Sequence, residues 1–257
     1  MNENTDQRPV LRYVEFHAAD HCNLNCRACS HFASLFNADV FPDTQGIIRD
    51  FLQLSMLFRS VNTVRILGGE PLLNPELPQI ISGIREIMPQ SEISIVTNGL
   101  LLKKWGSLLA RLLVSCGTVL YVTRYPVGGS AVQDGIRLFK NEGVNVIESP
   151  EMSYFRLFLR KDRDSGSGFG NCRVKGCTFL CDGHLYVCAL CALVKRYNQV
   201  FSAAFPEEDG VDLYQVRSGK DVLEKLGSAW KLCGYCSDND RFVKWSRTDA
   251  PEARDWL

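Results

Sequence analysis

The sequence predicts an α/β fold. Five to six strand–helix units build a parallel sheet, and a small cysteine-rich unit made from a β-hairpin and a helix follows. Three observations carry this expectation. Short β-rich runs alternate with amphipathic helical runs from residue 11 onward. The pair Asp182-Gly183 separates two short runs, which is a strong signal for a two-residue hairpin turn. Ten of the eleven cysteines fall in three groups, at 22–29, 172–191 and 233–236.

Taken in order, β-branched and aromatic residues concentrate at 12–18, 63–67, 92–97, 118–123, 144–148 and, more weakly, 154–159. Each of these is expected as a strand. Between them, apolar residues return at helical spacing over 46–58, 77–88, 103–115 and 132–141. Around 160–170 the chain becomes charged and glycine-rich, as a linker or mobile loop does. This sets a boundary between units 1–165 and 166–257. In the second unit, strands are expected at 177–181 and 184–188, then a helix at 221–230. Cys116, alone at the end of an apolar helical run, reads as a small core residue.

Composition narrows the function. Hydrophobic residues make up 46% of the 257 and charged residues 23%, an ordinary globular balance. Lys plus Arg equals Asp plus Glu, and no basic stripe stands out. Nucleic acid and anionic membrane surfaces are therefore poor partners. The polar N-terminus lacks the apolar core of a signal peptide, and no run approaches the ~20 apolar residues of a membrane span. A cytoplasmic location is expected. In a reducing compartment, clustered cysteines point to metal or redox chemistry instead of disulfides.

The most informative stretch is 20–31, where Cys22, Cys26 and Cys29 stand in C-x3-C-x2-C spacing directly after the first expected strand. One short loop of this kind can present three thiolates to three irons of a cube-shaped [4Fe–4S] cluster and leave the fourth iron open for chemistry. A zinc site would more usually pair C-x2-C units. The second strand ends in Gly68-Gly69-Glu70-Pro71, the third in Thr97-Asn98-Gly99 and the fourth in Thr123-Arg124-Tyr125-Pro126. In parallel α/β folds the reactive ends are the C-terminal ends of strands. Glycines there supply turn geometry, or backbone that a ligand can approach.

The cysteine loop and the GGEP step together resemble the radical S-adenosylmethionine (SAM) superfamily. The resemblance covers 11 to about 100 strongly, and it implies a partial (βα)6 barrel. It also implies that the open iron chelates SAM, that Gly68, Gly69, Glu70 and Pro71 position the SAM amino group, and that Asn98 lies close by. Arg124 could pair with the SAM carboxylate or be a solvated loop arginine. One departure is Ala28, at a position near the adenine that is often aromatic in the family. A reductant such as flavodoxin or ferredoxin is implied as partner. On the first strand, Glu15 and His17 share one face. They could contact substrate in the lumen, or pair with each other and only stabilise the strand. Ser30 and His31 follow the cluster loop too closely to assign.

In the last third, Cys172, Gly183 and Cys188, followed by Cys233-x2-Cys236, resemble the family's twitch appendage, a shortened SPASM domain. That resemblance implies one auxiliary [4Fe–4S] cluster, with no further cysteines after Cys236 to hold another. Family spacing favours Cys172 as the first ligand. Hairpin geometry, which puts Cys177 opposite Cys188, favours Cys177. Cys181 and Cys191 are left over as inert thiols, substitute ligands or hydrogen-atom donors to a substrate radical. Size and layout are similar to a member of the family that oxidises an aminocyclitol in butirosin biosynthesis. The expected function is hydrogen abstraction from a small polar, carbohydrate-like or cyclitol-like substrate, giving oxidation or epimerisation. The alternatives are modification of a ribosomal peptide and a non-catalytic iron–sulfur or zinc electron-transfer module.

Overall fold

The structure is a computed structural model that describes residues 6–36, 38, 40–162, 169–236 and 241–257. Part of the expected linker, 163–168, lies outside the described residues. The organising strand is β1 (Val10–Ala19), the longest in the chain and paired on both edges. On one side run β2 (Ser60–Gly68), β3 (Glu92–Thr97), β4 (Val119–Val122) and β5 (Val146–Glu148), all parallel. On the other side β7 (Phe179–Cys181) pairs parallel to β1, and β8 (His184–Tyr186) and β9 (Val211–Asp212) extend the sheet antiparallel.

Alternation along the strands separates two faces. Val14, Phe16 and Ala18 of β1, Val64 and Ile66 of β2, Ile93 and Ile95 of β3, and Leu120 and Val122 of β4 enter one core. The apolar faces of α1 (Thr44–Leu57), α2 (Leu77–Ile87), α3 (Leu102–Ser115) and α4 (Gly129–Asn141) pack on it. Asp43 starts α1 by accepting the Gln45 N–H at 3.0 Å. The opposite strand face carries Tyr13, Glu15, His17, Arg65, Ser94 and Tyr121. The architecture is a mixed α/β fold with a mostly parallel sheet and a small C-terminal region.

The expected sixth parallel strand departs from this pattern. Only β6 (Tyr154–Arg156) is extended, and it pairs antiparallel with β10 (Phe242–Lys244) in a separate two-stranded sheet. Only residues 149–153 separate β5 from β6. A parallel return needs about a dozen residues, so the chain cannot make one here.

The hairpin forms as expected. Asp182 and Gly183 both have positive φ, 48° and 76°, and Cys181 faces His184. The helix α5 (Ala189–Phe201) follows directly, was not anticipated from the sequence, and buries Leu190, Cys191, Leu193, Val194 and Tyr197 in a second core with Phe32 and Trp256. The later helix α6 (Gly219–Leu226) is capped by the Ser218 hydroxyl. Among the described residues no helix is long and apolar enough to cross a membrane.

Candidate functional site

The cysteine loop leaves the C-terminal end of β1 and is clamped from two directions. From β2, the Gly69 and Glu70 N–H groups donate to the Ala19 and His21 carbonyls at 2.8 and 3.0 Å. This approach explains both glycines: a Cβ at Gly68 would sit 2.0 Å from the Ala19 carbonyl oxygen, and one at Gly69 2.1 Å from that of His21. From the C-terminal segment, Thr248 N–H donates to the Asn25 carbonyl at 2.8 Å, and Arg27 N–H to the Ser246 carbonyl at 2.9 Å. The Trp256 indole N–H reaches the Cys29 carbonyl at 2.8 Å, and Arg27 pairs with Asp255.

Cys22, Cys26 and Cys29 line one cavity of about 380 Å³. Each sulfur meets N–H donors. Leu24 N–H lies 3.4 Å from the Cys22 sulfur, and the Trp245 indole nitrogen 3.1 Å from that of Cys26. The backbone N–H groups of Ala33, His31 and Phe32 face Cys29. Burial pushes all three thiols above their ordinary range, Cys26 to about 12, while these donors oppose the shift. Three thiols on one wall, with N–H groups aimed at the sulfurs, form a donor set that suits thiolate ligands of an iron–sulfur cluster.

Gly68, Gly69, Thr97, Asn98, Ala28 and Tyr125 share the same cavity, as do Arg156, Phe155, Phe158, Tyr154 and Phe242. Asn98 donates to the Asn23 side chain at 2.8 Å, which ties the end of β3 to the cysteine loop. Glu70 does not reach the cavity. It is fully buried, and its carboxylate accepts from Leu72 N–H at 3.0 Å, the Thr97 hydroxyl at 2.7 Å and Asn98 N–H at 2.8 Å. It is a strut between the strand ends. Burial pushes its carboxyl up to about 7 against those three hydrogen bonds. Pro71 is likewise buried, at the start of a short 3-10 turn.

A second cavity, between α5 and the chain that follows α6, collects Cys172, Cys188, Cys191, Cys233 and Cys236. Cys188 and Cys191 lie three residues apart at the start of α5 with sulfurs 3.8 Å apart. A hydrogen bond from Cys191 pulls the Cys233 thiol down to about 6, and the Cys191 proton is held correspondingly tightly. Cys177 does not line this cavity. The β7–β8 ladder stops at Phe179 and Tyr186, and beyond it tight turns carry the chain from Phe169 to Cys177 and bring Cys172 to the cavity instead. Among the described residues, no three His, Cys, Asp or Glu side chains converge around a single metal ion.

The radical SAM superfamily profile matches residues 18–147, half of the chain. The chain belongs to the radical SAM superfamily. The family implies a [4Fe–4S] cluster and SAM. The chain is similar to the GTP 3',8-cyclase of Alkaliphilus metalliredigens, 31% identical over 112 residues, 42% of this chain and 33% of that protein. It is 39% identical over 95 residues, 36% of this chain and 28% of the relative, to the GTP 3',8-cyclase of Limosilactobacillus fermentum. The matches thus span about a third of those curated relatives. In fold, the chain resembles BtrN in complex with AdoMet and 2-DOIA, with TM-score 0.52 and 16% identity, over 92% of this chain and 100% of that one. It also resembles anSMEcpe with bound AdoMet and Cp18Cys peptide, with TM-score 0.52 and 13% identity, over 89% of each chain.

Several residues expected at this radical SAM site lie elsewhere. Arg124 lines a neighbouring cavity, with its side chain 42% exposed and 3.9 Å from Glu148. Glu15 and His17 share a face but do not pair. Glu15 accepts from the Tyr13 hydroxyl near Arg65, whose guanidinium lies over the Tyr13 and Tyr121 rings. His17 bonds Asp20 at 2.8 Å and His31 at 2.9 Å. His17 and Cys181 instead line a third cavity, of about 570 Å³, with Asp20, Asp50 and Tyr214. Cys191 sits among the second cysteine group, away from the first cavity. Ala28 does line the first cavity, in a left-handed conformation with φ 57°. Sequence reasoning missed Trp245, Tyr125 and Arg156. Two tryptophans in the last thirteen residues were the available signal.

Proposed function

We propose that this chain is a radical SAM enzyme acting on a small polar substrate, with oxidation or epimerisation as the outcome. The observation that carries the reading is the shared cavity: the three cysteines, the Gly68-Gly69 step and Asn98 meet at the C-terminal ends of β1, β2 and β3. When bound, a reduced cluster with SAM would supply hydrogen-atom abstraction from substrate. Cys22, Cys26 and Cys29 hold the cluster. The Gly69 and Glu70 N–H groups are committed to β1 and its loop, so a ligand ammonium group would meet carbonyl oxygens at this step. Asn98 holds the cysteine loop through Asn23, and Tyr125 offers a half-buried ring to the cavity. Arg156, stacked over the Phe158 ring, contributes a cation to the cavity lining.

The second unit, 166–257, is read as a twitch-type domain holding an auxiliary [4Fe–4S] cluster. Cys172, Cys188, Cys233 and Cys236 are its ligands, and Cys191 touches two of them. A cluster held by these cysteines would supply a one-electron acceptor, which an oxidation outcome requires. A flavodoxin or ferredoxin in the cytoplasm would supply the reducing electron for SAM.

Cyclisation of a purine nucleotide is the second reading, and it rests on the identity with the GTP 3',8-cyclases. The cavity favours the first. Among its described lining residues Arg156 is the one permanent cation, because burial pushes His31 down to about 3 and leaves it neutral. A triphosphate would ask for more positive charge.

The test is anaerobic reconstitution with iron and sulfide, followed by reduction with SAM present. Formation of 5′-deoxyadenosine, lost in Cys26→Ala, is expected. A fully loaded protein that neither binds nor cleaves SAM would be an electron-transfer module instead, and the proposal would fall. Product analysis with GTP decides between the two enzymatic readings.

A further inference from the structure

Among the donors around the three cysteines, one comes from far along the chain. Trp245 directs its indole N–H at the Cys26 sulfur, at 3.1 Å, across 219 positions of sequence. Nothing about the cysteine spacing calls for it. The contact is built. Trp245 follows β10, which is held against β6, and its own N–H donates to the Ser153 carbonyl at 2.8 Å. Cys26 and Arg247 then pair as an isolated antiparallel bridge, with the Arg27 and Thr248 N–H bonds on either side. The Arg247 guanidinium donates to the Leu24 carbonyl at 3.0 Å. The Trp245 ring lies 5.7 Å from that of Tyr125, which faces the cavity. Backbone, side chain and ring together fix the direction of the indole N–H.

We propose that Trp245 is a positioning residue that sets the reduction potential of the catalytic cluster by donating its N–H to the Cys26 thiolate. The inference rests on the reading of Cys22, Cys26 and Cys29 as cluster ligands. A hydrogen bond to a ligand sulfur withdraws charge from the iron and stabilises the more negative, reduced state, which raises the potential. The backbone N–H groups at Cys22 and Cys29 act in the same sense but cannot be removed by substitution. Trp245 can. Trp256 makes the useful contrast, because it donates to the Cys29 carbonyl and not to a sulfur.

The experiment is a redox titration of reconstituted wild type, Trp245→Phe and Trp256→Phe, following the paramagnetic signal that changes on adding SAM. Phenylalanine keeps a ring on the Tyr125 side and removes the donor together with part of the indole's volume. At a fixed poise, Trp245→Phe is expected to lower the reduced-to-oxidised ratio about tenfold, a shift of about 59 mV for one electron. Iron content should be unchanged, and Trp256→Phe should keep the wild-type potential. A fully loaded Trp245→Phe protein with the wild-type potential overturns the proposal. So that the answer does not depend on how the variant folds, wild type grown with indole-15N tryptophan is measured by pulsed electron–nuclear resonance. A 15N coupling on the SAM-sensitive signal is expected, and its absence also overturns the assignment. Wild type that takes up no SAM-sensitive cluster would instead sink the cluster reading itself, a result distinct from either.

Discussion

Glu70 shows how one buried carboxylate can organise a site it never touches. Its three acceptor bonds join the ends of β2 and β3, and Asn98 then reaches across to the cysteine loop. In Glu70→Gln one of these acceptor positions becomes an N–H facing another N–H. A loss of about 1–3 kcal/mol is expected, read by denaturant unfolding of the cluster-free chain. The pH dependence has a definite sign. The folded carboxyl titrates near 7, above the 4.5 of an exposed glutamate. Its contribution to stability is therefore full below about 4.5 and is lost as pH rises through 7, on the order of 3 kcal/mol in all. Wild type should lose stability across that window, and Glu70→Gln should flatten the slope. At this scale the sequence located Cys22, Cys26, Cys29, Gly68, Gly69, Ala28 and Asn98 in one cavity, because each lies at a strand end or in the loop that leaves one. It left Arg124, Glu15 and His17 open between two readings each, because their surroundings depend on side-chain partners brought in by other elements.

The hairpin β7–β8 depends on α1 for its position. Asp50 on α1 accepts the Gly183 N–H at 2.9 Å and the Tyr214 hydroxyl at 2.7 Å. Asp50→Ala should destabilise by about 1–3 kcal/mol, since it strands a buried N–H. A double-mutant cycle with Tyr214→Phe should return a coupling of at least about 0.5 kcal/mol. The turn itself was legible, because Asp-Gly is the pair that two positive φ angles demand. The helix α5 was not: ALCALV reads equally as a buried strand, and only the packing of Leu190, Leu193, Val194 and Tyr197 decides it. Helical spacing at the start of α5 is also what sets Cys188 beside Cys191. Cys172→Ser is therefore expected to lose the auxiliary metal, whereas Cys177→Ser should retain it, as measured by iron per chain.

At the scale of the whole molecule, β1 joins the two cysteine sites. Its C-terminal end feeds the first cysteine loop, and its free edge takes β7, which leads to Cys188. The reconstituted protein should hold about eight irons, two [4Fe–4S] clusters. About four irons with one zinc would instead mark the second site as structural and shift the reaction toward epimerisation. The contact of Trp245 with the Cys26 sulfur also has a consequence for biogenesis. A wall of the cluster loop is supplied by a segment that leaves the ribosome more than two hundred residues after Cys26. Until that segment docks, the Cys26 sulfur lacks this cover, so a chain ended before Trp245 is expected to lose iron to a chelator faster than the full chain.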